Sequence, residues 1–185
     1  ENLGFKVSLG SNTFNKKGYL AGSDKQRARE INEMFKDKSI DAIICSRGGY
    51  GTPRILDLLN YKIIKENPKI FIGFSDITAI LNSIYQKSSL VTFHGPMLAS
   101  NISKGLDQFT LESFKNILSD KNSQLIENPK EKSLEFINEG KVKGKLVGGN
   151  LALVTSLMGT PYEIDTKDKI LFIEEIGEKP YKIDR

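Results

Sequence analysis

An α/β architecture, a parallel sheet flanked by helices with part of a smaller β-rich domain behind it, is expected from three features of this 185-residue chain. Short apolar segments alternate with segments of helical spacing, the order that produces strand, helix and returning parallel strand. The segments "AIIC" and "IFIGF" are apolar almost throughout, as strands covered on both faces must be. The loops "GSN", "SRGGYG", "GFSD" and "FHGPM" all fall beyond the carboxyl ends of strands, where ligands bind in such sheets. The pattern is that of a Rossmann/flavodoxin-like sheet.

Along the chain, Gly4 closes a helix end and "FKVSLG" reads as a first strand. Ser23 caps the helix in "SDKQRAREINEMFKDKS", which carries Ala28, Ile31, Met34 and Phe35 on one face. Strand "DAIICS", loop "RGGYGT" and a helix from about Pro53 to Leu59 follow. Strand "KIFIGF" then turns at Ser75 into a helix reaching about Gln86, and "LVTF" is the next strand. The polar stretch "DKNSQLIENPKEK", broken by Asn128 and Pro129, reads as a linker. The expected division is therefore an α/β domain over 1–119, a linker over 120–132 and the start of a β-rich domain over 133–185. In that last part "SLEFINEG", "KVKGKLVGGN" and "KILFIEE" read as strands and "LALVTSLMG" as a helix. A start without Met and a stop at "YKIDR" directly after a strand lead us to expect a piece of a longer protein.

Composition narrows the function classes. The chain is 38% hydrophobic and 27% charged, which disfavours disorder and a coiled coil. No apolar run approaches the roughly 18 residues a membrane span needs, and the first residues carry no signal-peptide pattern. The formal net charge of +4 is spread among alternating signs, without the basic block of a nucleic-acid footprint. The single cysteine, Cys45, lies in an apolar run and is expected as a buried free thiol, which suits a reducing compartment.

Several loop residues have the chemistry of a site. Ser75 stands at a strand-to-helix corner, where a hydroxyl is either a helix cap or a nucleophile lifted off the sheet towards the first backbone amides of the helix. "GFSDI" lacks the second glycine of the G-x-S-x-G elbow. "SRGGYGT" frees amides to approach an anion, or is simply a flexible turn; it is neither a P-loop nor a dinucleotide fingerprint. Arg47 would bind a carboxylate through two parallel bonds or serve a structural ion pair. His94, the only histidine, ends an apolar strand before a rigid turn, a setting for a structural or pocket-lining ring more than for a base. One His and one Cys disfavour a metal site, so neither metal nor cofactor is expected. Of Glu174 and Glu175 at the end of "ILFIEE", strand geometry lets only one face a cleft.

These stretches, with "GYLAGSDKQRAREINEMFKDKSIDAIICSRGGYGTPRILDLLNY", "FIGFSDITAILNSIYQKSSLVTFHGPM", "GKLVGGNLALVTSLMGTPYEID" and "ILFIEEIGEKPYKIDR" in this order and spacing, resemble the LD-carboxypeptidase family of serine peptidases, which includes the microcin-immunity peptidases. The resemblance implies a cytoplasmic hydrolase, with homodimer formation plausible, that cleaves the amide bond before a C-terminal D-amino acid, as in releasing D-alanine from murein tetrapeptide. By the same resemblance Ser75 is the nucleophile and Glu174 the acid of a Ser-His-Glu triad. The amides of Asp76 and of the Gly48–Gly49 turn form the oxyanion hole, and Arg47 and Tyr50 line the substrate pocket. The family's histidine falls beyond Arg185, so residues 1–185 alone are expected to be nearly inactive: losing the base of such a triad costs on the order of 10⁴ to 10⁶ in rate. Competing expectations are a peptide-nucleotide immunity peptidase, a non-catalytic module holding a small anion in the "RGGYG" loop, and a cysteine hydrolase. The last is disfavoured because Cys45 sits in a strand.

Overall fold

The structure is a computed structural model and describes residues 4–119, 126, 128–129 and 131–185. Helix α1 (Asp24–Lys36) opens on a reciprocal cap, in which the Ser23 hydroxyl accepts from the Gln26 N–H and the Gln26 side chain accepts from the Ser23 N–H. Two otherwise orphaned amides are satisfied this way. Its apolar face buries Ala28 and Phe35, with Ile31 and Met34 partly covered, and Phe35 stacks on Phe71 at 5.9 Å.

Strands β1 (Ala42–Ile44), β2 (Ile70–Gly73) and β3 (Phe93–His94) form a parallel sheet in that order, with Ile44 opposite Ile72 and Gly73 opposite His94. Phe71 and Ile72 point to opposite faces of β2, and both are buried. Both faces of the central strand are therefore covered, as its unbroken apolar sequence requires. Between β1 and β2 lie a 3₁₀ turn at Pro53–Leu58 and helix α2 (Tyr61–Glu66), and α3 (Thr78–Ser88) follows β2 through a one-turn 3₁₀ segment at Ser75–Ile77. Helix α4 (Gln108–Ser119) comes after β3.

Helix α3 is buried nearly all round, with Thr78, Ala79, Ile80, Leu81, Asn82, Ser83 and Ile84 inside. It starts without a side-chain cap. A cap contributes about 1 kcal/mol, whereas each buried Ile or Leu contributes about 1.5–3 kcal/mol; packing wins, and the corner residues are not needed to start the helix. On its far side α3 packs against β4 (Lys145–Asn150) and α5 (Leu151–Ser156). β4 pairs in parallel with β5 (Lys169–Glu174), placing Asn150 opposite Glu174, and α6 (Pro180–Asp184) follows.

The structure departs from the sequence expectations at several places. "FKVSLG" is not a strand, and Phe5, Val7 and Leu9 are exposed: alternation supplies a face but not a neighbouring backbone, and no described strand runs beside it. "SLEFINEG" is irregular for the same reason, with Leu134, Phe136 and Ile137 exposed. The segment from Pro53 is a 3₁₀ turn rather than an α-helix, and "LVTF" contributes only Phe93 to a strand. The helix end expected before Gly4, and most of the linker expected over 120–132, lie outside the described residues.

Candidate active site

The ends of β1 and β2 bring the serine corner and the glycine loop together. Ser75 has φ +61°, a left-handed conformation that costs a residue with a Cβ about 1–2 kcal/mol. The preceding Gly73 permits the tight turn, since a Cβ there would meet the Ile77 side chain at 2.7 Å. The Ser75 side chain caps neither the 3₁₀ turn nor α3, so the cap reading of this serine falls away. Its hydroxyl instead faces Gly48, where a Cβ would lie 3.1 Å from Oγ. Asp76 N–H stands in the first turn of the helical segment, where amides have no partner within the helix. Gly49, at φ +126°, turns the loop beside it.

A hydrogen-bonded scaffold holds the loop against the corner. The buried Asp76 carboxylate accepts from Thr52 N–H at 3.0 Å, and the Thr52 hydroxyl donates to the Asp76 carbonyl. Burial pushes the Asp76 carboxyl above its ordinary pKa, against the opposing pull of the Thr52 and Gly51 donors and Arg27. Arg27 donates through both terminal nitrogens to the Gly51 carbonyl at 3.2 Å and through one of them to Asp24 at 2.6 Å. Asp24 in turn accepts from Arg54, and this pairing, with that to Arg27, holds its pKa down at about 2.

The other expected residues take distinct positions. Arg47 and Tyr50 are exposed on the loop, and Tyr50 meets Tyr19 edge-on at 5.7 Å between ring centres. Glu174 ends β5 with its Oε1 buried and without a hydrogen-bond partner among the described residues. Glu175 is used differently, accepting from Asn150 Nδ2 at 3.4 Å. His94, an exposed residue, has its ring edge-on to Phe74, at 5.9 Å, and Phe172, at 5.1 Å, and the desolvation they bring pulls its pKa below the ordinary value. It thus spaces the β5 strand from the residue before Ser75. Burial pushes the Cys45 thiol up to about 12, which leaves it protonated and unreactive at neutral pH.

Sequence reasoning missed Thr52, Arg27, Thr78 and Asn82. The two on α3 carried a readable signal, polar side chains inside the apolar helix "ITAILNSIY"; the first two carried none for the site, because the groups they hold there, Asp76 and the Gly51 carbonyl, are distant in sequence.

The sequence model of the LD-carboxypeptidase N-terminal domain matches residues 1–95, and that of the LD-carboxypeptidase C-terminal domain matches residues 143–185. The chain belongs to the LD-carboxypeptidase family. Within the family it is 46% identical to a probable murein peptide carboxypeptidase of Bacillus subtilis, over all of this chain and 58% of the relative. It is 35% identical to a microcin self-immunity protein of Escherichia coli, over 98% of this chain and 60% of that one. The solved structure of a muramoyltetrapeptide carboxypeptidase from Oxalobacter formigenes superposes with a TM-score of 0.85 at 30% identity, covering 99% of this chain and 60% of that chain. This chain therefore spans less than two thirds of the length of these relatives. Among its described residues no helix is long and apolar enough to cross a membrane.

Proposed function

We propose that this chain carries the nucleophile and the acid of a serine LD-carboxypeptidase that hydrolyses the amide bond before a C-terminal D-amino acid in a murein peptide. The observation that carries the proposal is Ser75 itself: a strained, left-handed serine at a strand-to-helix corner, its hydroxyl free of capping and turned to a glycine. Strain of this kind persists where surrounding structure enforces it, and it clusters at reactive positions.

In the proposed reaction Ser75 Oγ attacks the scissile carbonyl, a base takes its proton and gives it to the leaving amine, and water activated by the same base then hydrolyses the acyl-serine and restores the hydroxyl. The amides of Asp76 and of Gly48 or Gly49 stabilise the oxyanion. Glu174 orients the base; its buried, unpartnered oxygen is an acceptor suited to an imidazole N–H. His94 is held by its aromatic neighbours and is not assigned that role; we assign the base to a histidine in the part of the relatives' length that this chain does not span. Arg47 and Tyr50, exposed on the loop, are assigned to the substrate's carboxylate end. The division into domains at 1–119 and 133–185, which rests on the polar stretch between them, belongs to the same proposal, as do a cytoplasmic setting and a homodimer, which rest on the family alone.

A microcin-type immunity peptidase is the second reading, favoured by the 35% identity to such a protein. The 46% identity to the murein peptide carboxypeptidase supports a murein substrate as the first reading. The test is D-alanine release from a murein tetrapeptide by the protein expressed from its complete coding sequence, together with mass spectrometry of a serine-directed phosphonate. Turnover lost in Ser75→Ala, with the adduct on Ser75, is the expected result. No adduct and unchanged ligand affinity in Ser75→Ala would favour a non-catalytic anion-binding module.

A further inference from the structure

The helix that starts beyond Ser75 is tied to the strand pair that ends in Glu174 by a buried polar seam. Thr78, wholly buried, accepts through Oγ1 from the Asn150 N–H at 3.1 Å. One turn later Asn82 donates to the Gly148 carbonyl at 2.8 Å and to the Thr78 carbonyl at 2.9 Å, and it accepts from the Gly148 N–H at 3.3 Å. Asn82 thus meets both backbone groups of one residue of β4. Between these contacts Gly149 lies so close to α3 that a Cβ would stand 2.6 Å from Thr78 Oγ1. Asn150 is opposite Glu174 and Gly148 opposite Phe172 in the strand register.

Packing alone does not call for these side chains. A buried polar group left unsatisfied costs about 1–3 kcal/mol, and an apolar pair of the same shape avoids that exposure to error. What paired donors and acceptors supply is register: an apolar contact tolerates a slide of one strand along a helix, whereas hydrogen bonds to named backbone atoms do not. The seam joins α3, which follows the corner carrying the proposed nucleophile, to β4, the parallel partner of the strand that ends in the proposed acid.

We infer that Thr78 and Asn82 are positioning residues, which set β4, and through it β5, against the nucleophile helix so that Glu174 is held where it orients the base serving Ser75. The inference rests on the assignment of Ser75 and Glu174 made above. It differs from a merely structural role, because misplacing Glu174 removes the same support from the base as neutralising it.

The test is a double-mutant cycle in the protein expressed from its complete coding sequence, with turnover of a murein tetrapeptide followed across pH. Thr78→Val keeps the shape and removes the acceptor. Its expected effect is a fall of about 10²-fold in kcat, with KM nearly unchanged and the acid limb of kcat/KM moved to lower pH, as in Glu174→Gln. In the Glu174→Gln background the same change is expected to cost less than about threefold. Thr78→Ser, which restores the acceptor, is expected to recover most of the rate. Thr78→Ala is read in the same cycle where the valine variant does not fold. Equal losses in both backgrounds, or an acid limb that stays in place, would overturn the inference and leave the catalytic reading intact. Full turnover by Glu174→Gln would overturn the catalytic reading, and the inference with it.

Discussion

Ser75 and Gly48 meet across the ends of neighbouring strands: a Cβ on Gly48 would lie 3.0 Å from the Ser75 Cβ and 3.1 Å from its hydroxyl oxygen. A side chain at this position is therefore limited by space and not by backbone freedom. Its loop comes off β1 and the serine comes off β2, so parallel pairing alone brings them together.

Gly48→Ala is expected to press on the serine corner. At such distances a neighbour must give by a few tenths of an ångström, and the neighbour is the proposed nucleophile. We expect kcat/KM for a murein tetrapeptide to fall at least about tenfold, with little change in the melting transition. An alanine variant with full activity would show that the contact has no bearing on the hydroxyl.

Ser75→Gly and Ser75→Ala should separate strain from chemistry. Both lose turnover. Glycine also relieves the left-handed cost of about 1–2 kcal/mol, less about 0.5–1 kcal/mol for its extra freedom in the unfolded chain. Urea unfolding should find the glycine variant more stable than the alanine variant by up to about 1.5 kcal/mol. The reverse order would remove the argument from strain.

Asp24 makes a pH-dependent contribution to stability. Its folded pKa is lowered from 3.8 to about 2, chiefly by Arg54 and then Arg27, so the folded state favours the ionised form. The contribution is present above the unfolded value of 3.8 and lost as pH falls through about 2. Acid unfolding of the parent and of Asp24→Asn should show a gap that is constant above about pH 5 and closes below about pH 2. Because Asp24 also holds Arg27 on Gly51, the variant is expected to lose activity at neutral pH as well.

His94 behaves in the opposite region of pH. Desolvation between Phe74 and Phe172 lowers its pKa from 6.5, so the neutral ring is the form the fold prefers. Its contribution is present above 6.5 and lost as pH falls through the lower folded value. The melting temperature of the parent should drop between about pH 8 and about pH 5 by more than that of His94→Phe, which keeps the ring and cannot titrate. Equal slopes would place the imidazole in water.

Elements whose signal is local were legible in the chain. The Ser23–Gln26 cap, the apolar face of α1, the two buried strands and the glycine-serine corner each depend on residues within a few positions of one another. α2 went unseen because Tyr61–Glu66 is less than two turns, too short for a period to register, and α4 and α6 were not anticipated either. The segments "FKVSLG" and "SLEFINEG" misled in the other direction, because alternation marks a strand only where another backbone lies alongside.

For the candidate site the division follows the same line. Residue type and order along the polypeptide were enough to nominate Ser75, the glycine loop and Arg47 and to set them at the carboxyl edge of a parallel sheet, whereas the choice of Glu174 over Glu175 came from the family resemblance. Whether the serine capped a helix, how the glycine faced it, where His94 packed and which residues locked α3 to β4 depended on atoms as far apart in the chain as those of His94 and Phe172. Such contacts form through the third dimension, and no short-range pattern records them.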